Sequence, residues 1–390
     1  GSRIAEEVLL PLNQSGDREG CSIDGGKVTT PQGFKQAYGE LAQGGWIGLT
    51  ASPDNGGQGL PPVLGAALNE YLTSANMALA MYPGLSMGAY AAIERHASDE
   101  LKAAYLPRLA SGEWAGTMTL TEPQCGTDLG LIRAAAKKSQ DGTYRITGTK
   151  IFISAGEHDL TDNIVHLVLA RIEGAPEGTK GVSLFVVPKF LPGDDGGAAA
   201  RNGVECTGLE TKMGIHANAT CVMRYEDATG WLVGEENRGL SAMFTMMNEA
   251  RLGVGIQGLA LSEVAYQNAA IYARERLQGR ALTGPAEPDQ PADPLIVHPD
   301  VRRILMDIRA FNEAARALVL WTSLRASVAG EGDEKEAEAG EDHLGLITPV
   351  IKGVLTDWGF ANTVAAQQIF GGHGYIAETG MEQLATDGSA

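Results

Sequence analysis

Met118-Thr119-Leu120-Thr121-Glu122-Pro123-Gln124-Cys125-Gly126-Thr127-Asp128 is the stretch on which the reading of this 390-residue chain turns. An apolar, strand-like run from Trp114 to Leu120 leads into it. A Thr-Glu-Pro turn, one glycine and a Thr-Asp pair follow, a pattern that presents backbone N–H groups and hydroxyls from a tight loop and suits a large polar ligand. An ordinary strand-end turn fits the same spacing equally well, so the flanking sequence has to decide.

Upstream the texture is helical. Pro31 to Gly44 carries apolar residues at helical spacing and stops on Gly44-Gly45. After the Gly-rich loop Ala51 to Leu60, helices are expected over Pro62–Ala80, Leu85–His96 and Asp99–Ala110, with Ser98 as an N-cap. Tyr71 to Ile93 has no formal charge, but its polar residues and the Pro83-Gly84 break predict two core helices and no membrane span.

Downstream the pattern changes to short strands separated by Gly, Asp and Asn turns: Trp114–Thr121, Tyr144–Thr149, Ile151–Ser154, Ile164–Ala170, Val182–Pro188 and Thr220–Tyr225. Strands at this frequency predict a sandwich or barrel. Phe190 to Gly203 is expected to be an exposed, flexible loop. Helical texture returns at Gly239, with one or two long helices over Leu240–Leu277, another over Asp300–Ala329, an acidic loop at Gly330–Asp342 and a last helix over His343–Phe370. The fold class is therefore α+β and multidomain: an N-terminal helical domain (1–112), a central β-barrel or sandwich domain (113–236) and a C-terminal helical bundle (237–390). The Gly1-Ser2 start reads as a cloning scar, and the outer domains are expected to continue beyond both ends.

Composition excludes several functions. A net charge of −18 and a pI near 4.8 argue against a nucleic-acid partner and favour a cytoplasmic setting. The four cysteines form no C-x-x-C pair, and the seven histidines show no i, i+4 spacing, so no metal site is expected. Gly84-Leu85-Ser86-Met87-Gly88 matches a nucleophile elbow, but it joins two helical runs where that motif needs a strand before it. Gly371-Gly372-His373-Gly374 lacks the leading strand of a dinucleotide fold and reads either as a helix stop or as backbone that approaches a phosphate. Arg274, Arg276 and Arg280 either stabilise a helix end or clamp a diphosphate. Arg251, in the apolar run Met246–Leu261, calls for a buried partner or a ligand.

Taken together, NGGQGL, TMTLTEPQCGTD, GTKIFISAG, NEARLG, YARERLQGRAL and QQIFGGHGY resemble the acyl-CoA dehydrogenase flavoproteins in both order and spacing. TEPQCGTDLG and the closing GMEQ resemble the branch that acts on 3-methylmercaptopropionyl-CoA in dimethylsulfoniopropionate degradation. The resemblance implies FAD between the β domain and the bundle and α,β-dehydrogenation of an acyl-CoA thioester. A carboxylate would remove the α-proton while a hydride passes to flavin N5. It further implies an electron-transfer flavoprotein as acceptor and a homodimer or homotetramer with a shared FAD site.

Carried over by position, Met118, Leu120, Thr121, Gly126 and Thr127 would edge the flavin, and Phe152 and Ser154 would lie against its other side. Arg276 and Gln278 would meet FAD phosphate or adenosine across a subunit interface, with Gln368, Gly371 and Gly372 as the pyrophosphate turn. Thr127, Asn248 and Arg251 would contact the substrate. The catalytic base is the departure. The family's Tyr-Glu-Gly-Thr motif is expected beyond Ala390, and the alternative place, before Arg251, holds Ala250. Glu249 lies about 100° away around the helix. Two rival readings follow: an acyl-CoA oxidase, and a non-catalytic flavin or acyl-CoA binder.

Overall fold

The computed structural model describes residues 1–193, 196–331 and 334–389, except for the side chains of 329–334 and 341. Helices α1 (Ser2–Ile4), α2 (Asn13–Glu19), α3 (Phe34–Gln43), α4 (Pro62–His96) and α5 (Asp99–Ser111) precede the main sheet, and a hairpin of β1 (Ser22–Asp24) and β2 (Lys27–Thr29) lies between α2 and α3. Ser98 caps α5, its hydroxyl accepting from the Leu101 N–H.

One expectation fails in α4. It runs through Pro83-Gly84 as a single element, and the departure from helical geometry falls at Asn76. There the Asn76 side chain accepts the Leu79 N–H at 3.0 Å and donates to the Leu9 carbonyl at 3.3 Å, a cap placed inside the helix. Ser86, the nucleophile of the apparent elbow, is therefore buried in mid-helix. Its hydroxyl donates to Tyr82 O and accepts from Gly116 N, which ties α4 to the sheet and leaves the oxygen nothing to attack.

The middle region consists of β3 (Trp114–Thr119), β4 (Ala135–Lys138), β5 (Tyr144–Ser154), β6 (Asn163–Ile172), β7 (Val182–Pro188), β8 (Phe190–Pro192), β9 (Ala198–Arg201), β10 (Val204–Leu209) and β11 (Thr220–Val233). Pairings β11–β5, β5–β4, β4–β6, β6–β7 and β7–β11 close a five-stranded ring, with β10 and β3 added at its flanks. Closure leaves few free edges, and the interior is filled by Ile146, Val168, Ala170, Phe185, Val187 and Met223. Two expectations are corrected. Tyr144–Ser154 is one strand carrying a bulge, and the Phe190–Gly203 segment contains the β8–β9 hairpin, with residues 194–195 outside the described residues.

The C-terminal part comprises α6 (Gly239–Glu275), α7 (Pro299–Glu331), α8 (Glu334–Ile369) and α9 (Met381–Asp387). The expected acidic loop is helical from Glu334 onward, because its Glu, Lys and Ala residues are good helix formers; residues 332–333 lie outside the described residues. Small residues let α6 and α8 approach closely: a Cβ on Gly258 would lie 2.8 Å from the Leu355 carbonyl carbon, and one on Gly359 would lie 2.8 Å from Gly258 Cα. A polar network fastens the helices. Ser262 joins Asn312 and Asn362, while Arg316 pairs with Glu70 of α4 at 2.7 Å and with Glu263 of α6 at 3.0 Å. No helix among the described residues is long and apolar enough to cross a membrane.

Candidate functional site

The opening stretch becomes the end of β3 and a closed loop after it. Glu122 and Cys125 exchange backbone hydrogen bonds at 2.9 and 3.0 Å. The Glu122 carboxylate is 3% exposed and accepts from Arg133 N, Ala134 N and Gln124 Nε2. Asp128 caps the turn that follows by accepting from Gly130 N. Arg171 braces the far side, donating to the Ile132, Gly130, Pro176 and Gly178 carbonyls.

Opposite the loop lies the bulge of β5. Lys150 pairs with Met223 and Ile153 with Cys221, so two residues of β5, Ile151 and Phe152, face the single Val222. The bulge reverses the in–out alternation. Lys150 points inward, and Phe152 is turned out at φ 60° with 59% of its surface exposed. A bulky residue in the left-handed region is costly and persists because the surrounding register holds it there. The two walls are joined directly: Ile151 N donates to Thr121 O at 3.0 Å, and the Thr117 hydroxyl donates to Ser154 O at 2.7 Å.

The structure therefore brings Met118, Leu120, Thr121, Gly126, Thr127, Phe152 and Ser154 to one surface. Met118 and Leu120 pack on the core below, and Gly126 and Thr127 are exposed. The hydroxyls of Thr121, Thr127 and Ser154 have no hydrogen-bond partner among the described residues. An uncovered aromatic ring beside free hydroxyls fits a planar, polar-edged ring system such as an isoalloxazine.

Asn248 and Arg251 sit on α6. Arg251 donates to Asn248 Oδ1 at 3.1 Å and lies 5.7 Å from the Phe244 ring centroid. It is half-buried, and Asn248 is its hydrogen-bond partner among the described residues. Glu249 is reached by solvent, although the protein around it raises its carboxyl above the usual range by desolvation; its contact with water limits that effect.

Arg276, Gln278, Gln368, Gly371 and Gly372 gather at the other end of α6, all exposed. Tyr272 stacks on Phe370 with ring centroids 4.2 Å apart and shares a 2.8 Å hydrogen bond with His373, which seats the Gly371–Tyr375 turn beside the last turn of α6. Gly371 has φ +58°, and a Cβ on Gly371 or Gly372 would meet nothing, so this backbone is open to a ligand. The helix rise places Arg251 and Arg276 roughly 38 Å apart. One chain thus holds the two groups at well-separated places.

The arginine trio divides. The helix ends at Glu275, and Arg280 is consumed in the following loop by the carbonyls of Glu287 and Gln290 and by Asp293, so it is not free to clamp an anion. The buried Asp293 carboxylate also accepts from Ala281, Ala286 and Glu287 N, and these bonds hold its carboxyl far below the usual range. His298 closes the same loop by donating to Gln278 O at 2.7 Å. Arg276 keeps only a 3.5 Å contact with Gln278. Sequence reasoning gave no role to Lys150, Arg171 or Asp293. A lysine at an inward position of an alternating strand was the available signal for Lys150.

Helical region, closed β ring and helical bundle, with an aromatic-walled loop between them, are the architecture of the acyl-CoA dehydrogenases. Profiles of that family's N-terminal, middle and C-terminal domains match residues 3–113, 117–228 and 237–389, and the chain belongs to this family. It is 47% identical over 385 residues to the 3-methylmercaptopropionyl-CoA dehydrogenase of Ruegeria pomeroyi, covering 99% of this chain and 65% of that one. A butyryl-CoA dehydrogenase of Syntrophomonas wolfei is 36% identical over 398 residues, again with 99% and 65% coverage. The chain thus spans just under two thirds of these relatives' length. The solved butyryl-CoA dehydrogenase of Megasphaera elsdenii shares the fold with a TM-score of 0.80 at 24% identity, over 99% of this chain and 90% of that one.

Proposed function

We propose that the chain forms the FAD- and thioester-binding part of an acyl-CoA dehydrogenase that acts on a short acyl-CoA of the 3-methylmercaptopropionyl-CoA class. The observation that carries this reading is the out-turned, exposed Phe152 ring next to Ile151, whose N–H bonds Thr121 O at the start of the Thr121–Thr127 loop. The near-half identity to the Ruegeria enzyme supports the substrate class. When bound, the flavin supplies the hydride acceptor for α,β-dehydrogenation.

The chain's residues do the rest. Phe152 stacks against the ring system and keeps water from that face, while Thr121, Thr127 and Ser154 offer hydroxyls to its polar edge. Arg251 and Asn248 orient the thioester from α6. Ala250 supplies no proton acceptor at the place before Arg251, and the base is assigned to no residue of this chain.

Arg276 and Gln278, together with the open turn Gln368–Gly372, bind the diphosphate end of FAD held on a second copy of the chain. Two features support a homodimer or homotetramer. The two cofactor groups stand far apart on one chain, and α7 and α8 expose Trp321, Leu324, Leu346 and Trp358. Electrons pass on to an electron-transfer flavoprotein. The test is the binding of 3-methylmercaptopropionyl-CoA against longer acyl thioesters, read from the perturbed spectrum of the bound flavin. Tighter binding of the short thioester supports the reading; equal or weaker binding refutes the substrate class.

A further inference from the structure

Lys150 has no exposed surface, and it is fixed between the two walls of the site. Its ammonium donates to Leu120 O at 2.9 Å and to Glu122 Oε1 at 2.8 Å. On its own strand it comes two residues before Phe152, on the inward side of the bulge. Glu122 carries the link onward. Its two oxygens also take Arg133 N at 2.8 Å, Ala134 N at 3.0 Å and Gln124 Nε2 at 2.6 Å. One buried ion pair therefore spans the bulge, the end of β3 and both ends of the loop that returns at Arg133.

A buried ion pair is a poor way to gain stability, since desolvation cancels much of its attraction; its better-attested use is to fix one arrangement among several. Burial lowers the Lys150 ammonium below its usual value, while Glu122 opposes that shift. Desolvation raises the Glu122 carboxyl, but Lys150 and the donated N–H groups outweigh it and hold the carboxyl down. The contact is a 2.8 Å ion pair with both partners buried, where an apolar pair would fill the space at lower cost.

We infer that Lys150, through Glu122, is a positioning residue that sets the spacing between the Thr121–Thr127 loop and the Phe152 wall, and hence the affinity of the flavin site. This rests on the flavin reading above. K150M removes the ammonium and leaves a buried carboxylate, so it risks a loss of folding. E122Q/K150M leaves no unpaired charge and serves as the second variant, its Gln amide still accepting from one of Arg133 N and Ala134 N.

The experiment measures FAD dissociation constants by flavin fluorescence, and amide exchange over residues 120–134 compared with β6 and β7, in the wild type and the double variant. The expected result is FAD binding weakened about tenfold or more, with faster exchange in the loop and unchanged protection in β6 and β7. Wild-type affinity and loop exchange in the double variant overturn the inference. So does exchange that rises equally in β6 and β7, which makes the pair a general stabiliser of the ring. A wild type that takes up no flavin refutes the flavin reading itself, and this role with it.

Discussion

Gly258→Ala tests how the bundle sets the geometry of the site. Two effects oppose each other. Alanine in a helix interior is favoured over glycine by about 1 kcal/mol. The new methyl would stand 2.8 Å from the Leu355 carbonyl carbon and 3.1 Å from Thr356 Cα, where ordinary contact begins at 3.4 Å. These neighbours are backbone, so no side chain can swing away, and α6 and α8 have to separate by more than half an ångström. Overpacking of this kind costs about 1–3 kcal/mol, and at a backbone contact the upper part of that range applies. The net expectation is a loss of about 1–2 kcal/mol. Gly353→Ala is the control: it lies in α8 with nothing within 4 Å of a new Cβ, so only the propensity term acts. It should stabilise by about 0.5–1 kcal/mol. Urea denaturation of the two variants gives the comparison directly. Equal effects of one sign in both would refute the close α6–α8 approach. The separation should also be visible at the site, since α6 carries Arg251 and α8 leads into the Gly371 turn.

Phe152→Ala should leave apoprotein stability unchanged, because the ring is exposed, and should weaken FAD binding by about 1 kcal/mol, roughly fivefold, in a fluorescence titration. Asp293→Asn turns one acceptor of the 281–293 loop into a donor: Oδ2 now takes Ala281 N and Ala286 N, and Oδ1 takes Glu287 N and Arg280, so either amide orientation loses two of these bonds. Amide exchange across that loop should quicken and FAD affinity fall with it, since Gln278 and Arg276 are held by the same loop through Asp293 O and Leu295 N. Burial pushes the Asp387 carboxyl up to about 6, whereas an unfolded aspartate titrates near 4. The folded state keeps this proton longer, so the group's contribution to stability is full below about pH 4 and is lost as pH rises through about 6. Asp387→Asn should flatten that slope in denaturation curves taken across the window.

Much of this was legible before any coordinates. The change from 3.6-residue to two-residue periodicity at Trp114, and back at Gly239, marks where the β ring begins and ends. The Thr121–Thr127 loop and the Phe152–Ser154 segment come from the family resemblance, and backbone bonds set the two side by side. Periodicity could not show that Pro83 would be tolerated, because the irregular residue, Asn76, is decided by a side-chain bond to the distant Leu9 carbonyl. Nor could local sequence show the ring closure between β7 and β11, which joins residues far apart in the chain. The bulge at Ile151–Phe152 is a case between these. Alternation from Tyr144 through Lys150 predicts Phe152 inside, and only the register against Cys221 and Met223 turns it out. Neither role open to Arg280 in the sequence, helix-end cation or diphosphate clamp, names its partners Glu287, Gln290 and Asp293, because they lie in a loop whose closure the sequence does not announce.

The central claim is that the Phe152 wall and the Thr121–Thr127 loop hold a flavin on which an acyl-CoA thioester acts. The most direct measurement is the visible absorption spectrum of the purified protein after incubation with FAD and removal of the excess, recorded before and after addition of 3-methylmercaptopropionyl-CoA. The account predicts the two-band spectrum of a bound oxidised flavin, perturbed by the thioester. A protein that emerges colourless, or a bound flavin whose spectrum ignores every acyl-CoA offered, would contradict it.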